Sequence, residues 1–181
     1  MSPAPGRPLV VLIGPPGAGK TSVGQAIARA RGLGFRDTDD DVAEAFGKSI
    51  PEVFVDDGEA AFRAAERSAV ARALVEHHGV LALGGGAVTD ETTRQNLDGH
   101  TVVFLDVSLT DAVARVGLAR DRPLLLGSPR SQLKQLMDAR RPLYEAVATF
   151  VVDTAGASAE EVADRVLAEL AQQAEQPGDA R

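Results

Sequence analysis

The apolar run LVVLI, Leu9 to Ile13, opens without a spacer into GPPGAGKTS at positions 14 to 22. A strand that ends in a glycine-rich loop and continues at once as a helix admits few folds. The loop must turn backbone N–H groups inward while the helix is already starting. Gly14, Gly17 and Gly19 lack a Cβ and so accept the positive φ values that such a turn demands. The spacing GxxxxGK followed by Thr fits the phosphate-binding loop pattern with no mismatch. In that pattern Lys20 supplies a mobile ammonium for the outer phosphates, and Thr21 a hydroxyl for the Mg²⁺ that accompanies a nucleoside triphosphate. Val23, Ile27 and Ala30 then recur at helical spacing in TSVGQAIARA, and the partial positive charge of that helix start lies beneath the phosphates.

Four further short apolar runs follow: GFRD, VLAL, VVFLD and FVVD, each separated from the next by a stretch of helical pattern. Runs that are hydrophobic on both faces and joined by crossovers predict a three-layer αβα fold around a five-stranded parallel sheet, of the P-loop, nucleoside-monophosphate-kinase-like kind. Ligands are then expected beyond the carboxyl ends of the strands. The core is expected over residues 8–172. A region of about forty residues between GFRD and VLAL exceeds a simple crossover and reads as a substrate-binding subdomain over about 37–78. The stretch GLARDRPLLLGSPRS reads as a lid over about 117–130, and residues 173–181 as a frayed tail.

A chain of 181 residues fits one domain. It has no apolar run near the ~18 residues of a membrane span, and MSPAPGRP carries no apolar leader, so a soluble protein is expected. Zero cysteines exclude disulfides and thiolate chemistry and fit a cytoplasmic enzyme. The net charge of −7, with scattered basic residues, argues against nucleic acid, and one tyrosine with no tryptophan leaves no base-stacking surface. Nothing demands more than a monomer.

Candidate chemistry clusters at four places. Asp37 and Asp39 of DTD end the GFR run, where alternate residues of an extended segment share a face, so both are expected at the ligand edge. GGGA at 84 to 87 follows VLAL and is expected to open a second backbone cradle. Arg63 and Glu66, three apart in AFRAAERS, share one face of a helix, where the carboxylate orients the guanidinium. Further arginines recur in RDRP and ARRPLY, the latter followed by a proline read as a helix boundary. Asp106, ending VVFLD, is a rival metal carboxylate, read in preference as support for the following turn. His77, His78 and His100 read as capping or solvated groups.

Together GPPGAGKTS, DTDDDVAEAFGKSI, FVDDGEAAFRAAE, LALGGGAV, RPLL and RRPLY resemble the shikimate kinase family, from about Leu9 to Asp153. That resemblance implies ATP-dependent phosphorylation of the 3-hydroxyl of shikimate, with Mg²⁺. It places nucleotide contacts on Gly17, Ala18, Gly19, Lys20, Thr21, Ser22, Arg115 and Arg122. Metal contacts fall on Thr21 and Asp37, and catalysis on Lys20, Asp39 and Arg122. Acceptor contacts fall on Asp39, Arg63, Gly84, Gly85, Gly86 and Arg140, with Glu66 positioning Arg63. Arg141 beside Arg140 leaves open which guanidinium enters the pocket, although the family spacing Arg-x-Pro-Leu-Tyr selects Arg140.

Overall fold

A computed structural model describes residues 6–117 and 128–176. All five expected strands form: β1 (Val10–Ile13), β2 (Phe35–Asp37), β3 (Val80–Ala82), β4 (Val102–Asp106) and β5 (Phe150–Asp153). Every pairing is parallel, in the order β2-β3-β1-β4-β5. Alternation along β1 explains the layers. Val10 and Leu12 join one buried cluster with Val23 and Ile27 of α1 (Lys20–Arg31) and Val162 and Val166 of α8 (Ala159–Glu175). Val11 and Ile13 face the opposite cluster, with Val70 and Leu74 of α4 (Glu59–Glu76) and Tyr144 of α7 (Pro129–Val147).

The long region after β2 is three helices: α2 (Thr38–Phe46), α3 (Ile50–Asp56) and α4. They enclose their own small cluster of Val42, Val53, Phe62 and Ala69. A Ser49–Glu52 capping box starts α3. After β3 come the glycine run, a single 3₁₀ turn over Ala87–Thr89 and α5 (Glu91–Asn96); after β4 comes α6 (Leu109–Val116), capped by Ser108.

Three sequence expectations need correction. The proline of ARRPLY is not a boundary, because α7 runs through Pro142 to Val147. Losing one amide donor is offset by burial of Tyr144 in the core and by the Arg141 ion pairs described below. The tail expected from 173 is helical to Glu175, where helix-forming Ala, Gln and Glu extend α8 beyond its packed residue Leu170. The stretch DTD is not wholly extended, since α2 begins at Thr38. Most of the segment read as a lid, including Arg122, lies outside the described residues. Among the described residues no helix is long and apolar enough to cross a membrane.

The β2 edge depends on one close approach. Val80 N donates to Gly34 O at 2.9 Å, and a Cβ on Gly79 would collide with that same carbonyl oxygen. Gly79→Ala is expected to cost about 1–3 kcal/mol, as overpacking against immovable backbone does. Urea unfolding followed by far-UV circular dichroism measures it, and an unchanged midpoint would refute the steric argument.

Candidate active site

Strands β1, β2 and β3 end side by side, with Leu12 and Asp37 both in register with Ala82, so the loops that follow share one edge of the sheet. The glycine-rich loop after β1 has the backbone its sequence implied: Gly14, Gly17 and Gly19 all take positive φ. At Gly17 space is equally decisive, because a Cβ would lie 2.8 Å from the Ala112 carbonyl oxygen on α6. Lys20 Nζ donates to the carbonyl oxygens of Gly14 and Pro15 at 2.7 and 3.1 Å, curling back over the loop.

Asp37 and Asp39 do meet at this edge, by a different route from the strand alternation expected. Asp37 is the N-cap of α2 and accepts from Asp39 N at 2.9 Å, which sets Asp39 in the first helical turn. The second oxygen of Asp37 accepts from the Thr21 hydroxyl at 3.2 Å. Thr38 between them is fully buried and accepts from Gly84 N at 3.2 Å, tying α2 to the glycine run. A cavity of ≈ 420 Å³ brings together Lys20, Thr21, Asp37, Asp39, Gly85 and Arg115.

The glycine run is not the backbone cradle expected. None of Gly84, Gly85 and Gly86 has positive φ. Their lack of side chains serves approach instead. A Cβ on Gly84 would stand 2.5 Å from Asp39 Oδ1 and 2.8 Å from Glu66 Oε2, and one on Gly86 would collide with the Arg63 guanidinium. Arg63 Nη1 donates to Glu66 Oε1 at 2.8 Å, as the helical spacing implied, and its guanidinium lies over the Phe62 ring at 5.2 Å. Glu66 is 3% exposed, and its other oxygen has no hydrogen-bond partner among the described residues. Arg140 shares this cluster, since its charge acts on both Glu66 and Tyr144.

Crowding carboxylates into a partly desolvated pocket raises their pKa values. Burial first, then the charges of Asp37 and Glu66, push Asp39 up to about 6, against the pull of Lys20. Burial likewise raises Glu66, countered by Arg63 and Arg140, and raises Asp37, countered by the Asp39 amide.

The paired arginines have different surroundings. Arg141 grips Asp106 with two nitrogens at 2.9 and 2.7 Å, bonds Glu145 at 2.8 Å and lies over Phe104 at 5.5 Å. It therefore faces away from the cluster that Arg140 shares with Glu66. Asp106 holds Arg141 of α7 through this fork, and its carbonyl oxygen accepts from Thr154 N and Oγ1 in the turn after β5, contacts distant in the chain and not the support of its own following turn that was expected. Arg115, on α6, donates to the carbonyl oxygens of Gly17 and Ala18 at 3.2 and 3.4 Å. It also borders a second cavity, ≈ 200 Å³, with Ala18, Ser22, Thr154 and Ala157. His77 caps α4 and bonds Val80 O, away from the site.

Sequence reasoning did not single out Thr38 or Tyr144. Tyr144 is buried, and its hydroxyl donates to Gly85 O at 2.6 Å. The signal was available: it is the single tyrosine, one helical turn beyond Arg140 and so on the same face.

A triphosphate loop opposite an acidic and guanidinium-lined recess, at the carboxyl edge of this parallel sheet, defines a P-loop kinase acting on a small acceptor. Residues 16–171 match the family model described as shikimate kinase. A shikimate kinase from Frankia casuarinae is 59% identical over 162 residues, 90% of this chain and 72% of that protein. One from Salinispora arenicola is 59% identical over 91% of this chain and 98% of its own length. The solved structure of Acinetobacter baumannii shikimate kinase in complex with shikimate superposes with a TM-score of 0.86 at 33% identity, covering 91% of this chain and 93% of that one. The chain belongs to the shikimate kinase family.

The raised pKa of Asp39 has a stability consequence in the metal-free protein. Between about pH 4 and 6 the folded state holds a proton that the unfolded chain, with its ordinary 3.8, has released, so stability falls as pH rises through that window. Asp39→Asn, measured in chelator by thermal or urea unfolding, is expected to be more stable than the parent at pH 8 by on the order of 2 kcal/mol. The gain should vanish below about pH 4. A variant no more stable than the parent at pH 8 would contradict it.

Proposed function

We infer that this enzyme transfers the γ-phosphoryl group of ATP to the 3-hydroxyl of shikimate, giving shikimate 3-phosphate and ADP. The observation that carries this reading is the position of the Arg63–Glu66 pair, which presses against Gly84 and Gly86 on either side of Gly85, itself seated against Pro16 of the phosphate loop. An anionic alcohol bound there presents its hydroxyl toward Asp39. The shikimate-bound relative from Acinetobacter baumannii, 33% identical, supports the choice of acceptor.

Lys20 exchanges its carbonyl partners for phosphate oxygens as nucleotide enters and stabilises the charge that builds on the transferring group. The cradle is Gly17, Ala18, Gly19, Lys20, Thr21 and Ser22, with the adenine between Arg115 and the turn after β5. Arg63 and Arg140 hold the shikimate carboxylate as charge-assisted donors, and Glu66 fixes the fork of Arg63. Asp39 accepts from the acceptor hydroxyl and takes its proton as the new P–O bond forms; a pKa of about 6 leaves it ionised at neutral pH yet basic for a carboxylate. Gly84, Gly85 and Gly86 bound the acceptor on its other side. Arg122 belongs to the phosphate clamp in this reading.

Mg²⁺ fits the donors present. Thr21 Oγ1 and Asp37 Oδ2, 3.2 Å apart, are both oxygens, and Mg²⁺ is commonly held by one or two carboxylates plus substrate phosphates. When bound, the ion offsets charge on the phosphate oxygens. Two small anionic ligands and a self-contained site require no nucleic acid, no membrane and no second subunit, consistent with a cytoplasmic monomer.

The direct test is ADP release by purified protein with ATP, Mg²⁺ and either shikimate or gluconate. Turnover is expected with shikimate, and turnover with gluconate alone would overturn the reading. Lys20→Ala should lower kcat at least about 100-fold, as loss of one charge-stabilising donor does, whereas turnover within tenfold of the parent would remove Lys20 from the mechanism. Arg63→Ala should raise the KM for shikimate about 10- to 100-fold with the KM for ATP nearly unchanged, the loss of a charged hydrogen bond to one ligand only. Equal losses for both ligands would reject its assignment to the acceptor.

A further inference from the structure

We propose that Tyr144 is a positioning residue that joins the carboxylate clamp to the glycine run, so that acceptor and phosphate donor are aligned through one buried hydroxyl. The proposal rests on reading the recess as the shikimate pocket. Tyr144 is 1% exposed, and its ring stacks on Phe104 of β4 with centroids 5.0 Å apart and planes 27° from parallel. The ring therefore has a fixed floor.

Its hydroxyl then serves in two directions. The proton is donated to the Gly85 carbonyl at 2.6 Å, and the oxygen feels the positive charge of Arg140, one helical turn back on the same face of α7. Burial raises the phenol to about 12 while Arg140 and Arg63 pull it down, so it remains a donor throughout the working pH range.

Gly85 carries the connection onward. A Cβ there would sit 3.2 Å from Pro16 Cδ and 3.5 Å from Gly14 O, so the glycine is seated against the phosphate loop itself. Tyr144, Gly85 and Pro16 thus form one contiguous chain of contacts to the loop that holds the nucleotide, and Arg140 adjoins it on the shared face of α7. A small displacement along it misaligns the hydroxyl with the phosphorus, the kind of error to which in-line transfer is sensitive. Without the hydroxyl, Arg140 loses a dipole on its own helix face, and the Gly85 carbonyl loses its donor.

Tyr144→Phe keeps the stacked ring and removes only this bridge. Steady-state kinetics should show the KM for shikimate rising about tenfold and kcat falling, with the KM for ATP within about twofold of the parent. In an Arg140→Ala background the same substitution should change the shikimate KM by less than about twofold, because residues acting through one another are not additive. An unchanged shikimate KM in the single variant, parallel losses for both substrates, or full additivity in the double variant would each overturn the proposal.

A second measurement needs no variant. The chain has one tyrosine and no tryptophan, so its intrinsic fluorescence reports Tyr144 alone. Titration with shikimate without nucleotide should change that emission saturably, and gluconate should not. A flat signal over a shikimate range that saturates turnover would also reject the bridge. A parent enzyme that releases no ADP with shikimate would instead defeat the functional reading on which the proposal rests.

Discussion

The cluster of Asp39, Arg63 and Glu66 depends on the space beside the backbone after β3. Gly84 and Gly86 hold ordinary φ values, and what matters is the side chain they lack. Into that space come Asp39 from α2 and the Arg63–Glu66 pair from α4, closer to the main chain than any Cβ would permit. The contact brings the helices inserted after β2 to within reach of the phosphate loop. Thr38, bonded to the Gly84 amide, fixes the same approach from the other side.

Such closeness has an electrostatic cost. Asp37, Asp39 and Glu66 are brought together where water is scarce, and each titrates above its ordinary value. Lys20, Arg63 and Arg140 balance them only in part. A site that crowds these groups together, with the second oxygen of Glu66 buried and without a hydrogen-bond partner among the described residues, departs from the most stable arrangement. It gives up folding stability for groups held ready for a ligand.

The locally encoded features were readable in the sequence. The phosphate loop announces itself through glycines, lysine and threonine within nine residues, and the five strands through short apolar runs, buried on both faces in β1, β3 and β4. The Arg63–Glu66 pair followed from helical spacing alone. Where the reading failed, the deciding partner was distant in the chain or the backbone had two options. DTD has the same sequence whether it finishes a strand or caps a helix, and the cap won because the Asp37 side chain satisfies the Asp39 amide. A glycine triplet does not reveal whether it supplies rotation or room. Pro142 looked like a terminus because the contacts that hold α7 together through it, Arg141 with Asp106 and Tyr144 with Gly85, span 35 and 59 residues.

Adjacent arginines on α7 carry out opposite tasks because successive helical residues point about 100° apart. Arg141 bolts the helix to the end of β4, whereas the charge of Arg140 acts on Glu66 and Tyr144. The helix is therefore indexed like a key. Deleting one residue between Leu133 and Arg140 would carry Arg141 to the place of Arg140 and Arg140 to that of exposed Ala139, while leaving composition and helicity almost intact. Length variation among relatives should be confined to the connections around α7 and kept out of its turns, a rule that no single side chain in this region displays by itself.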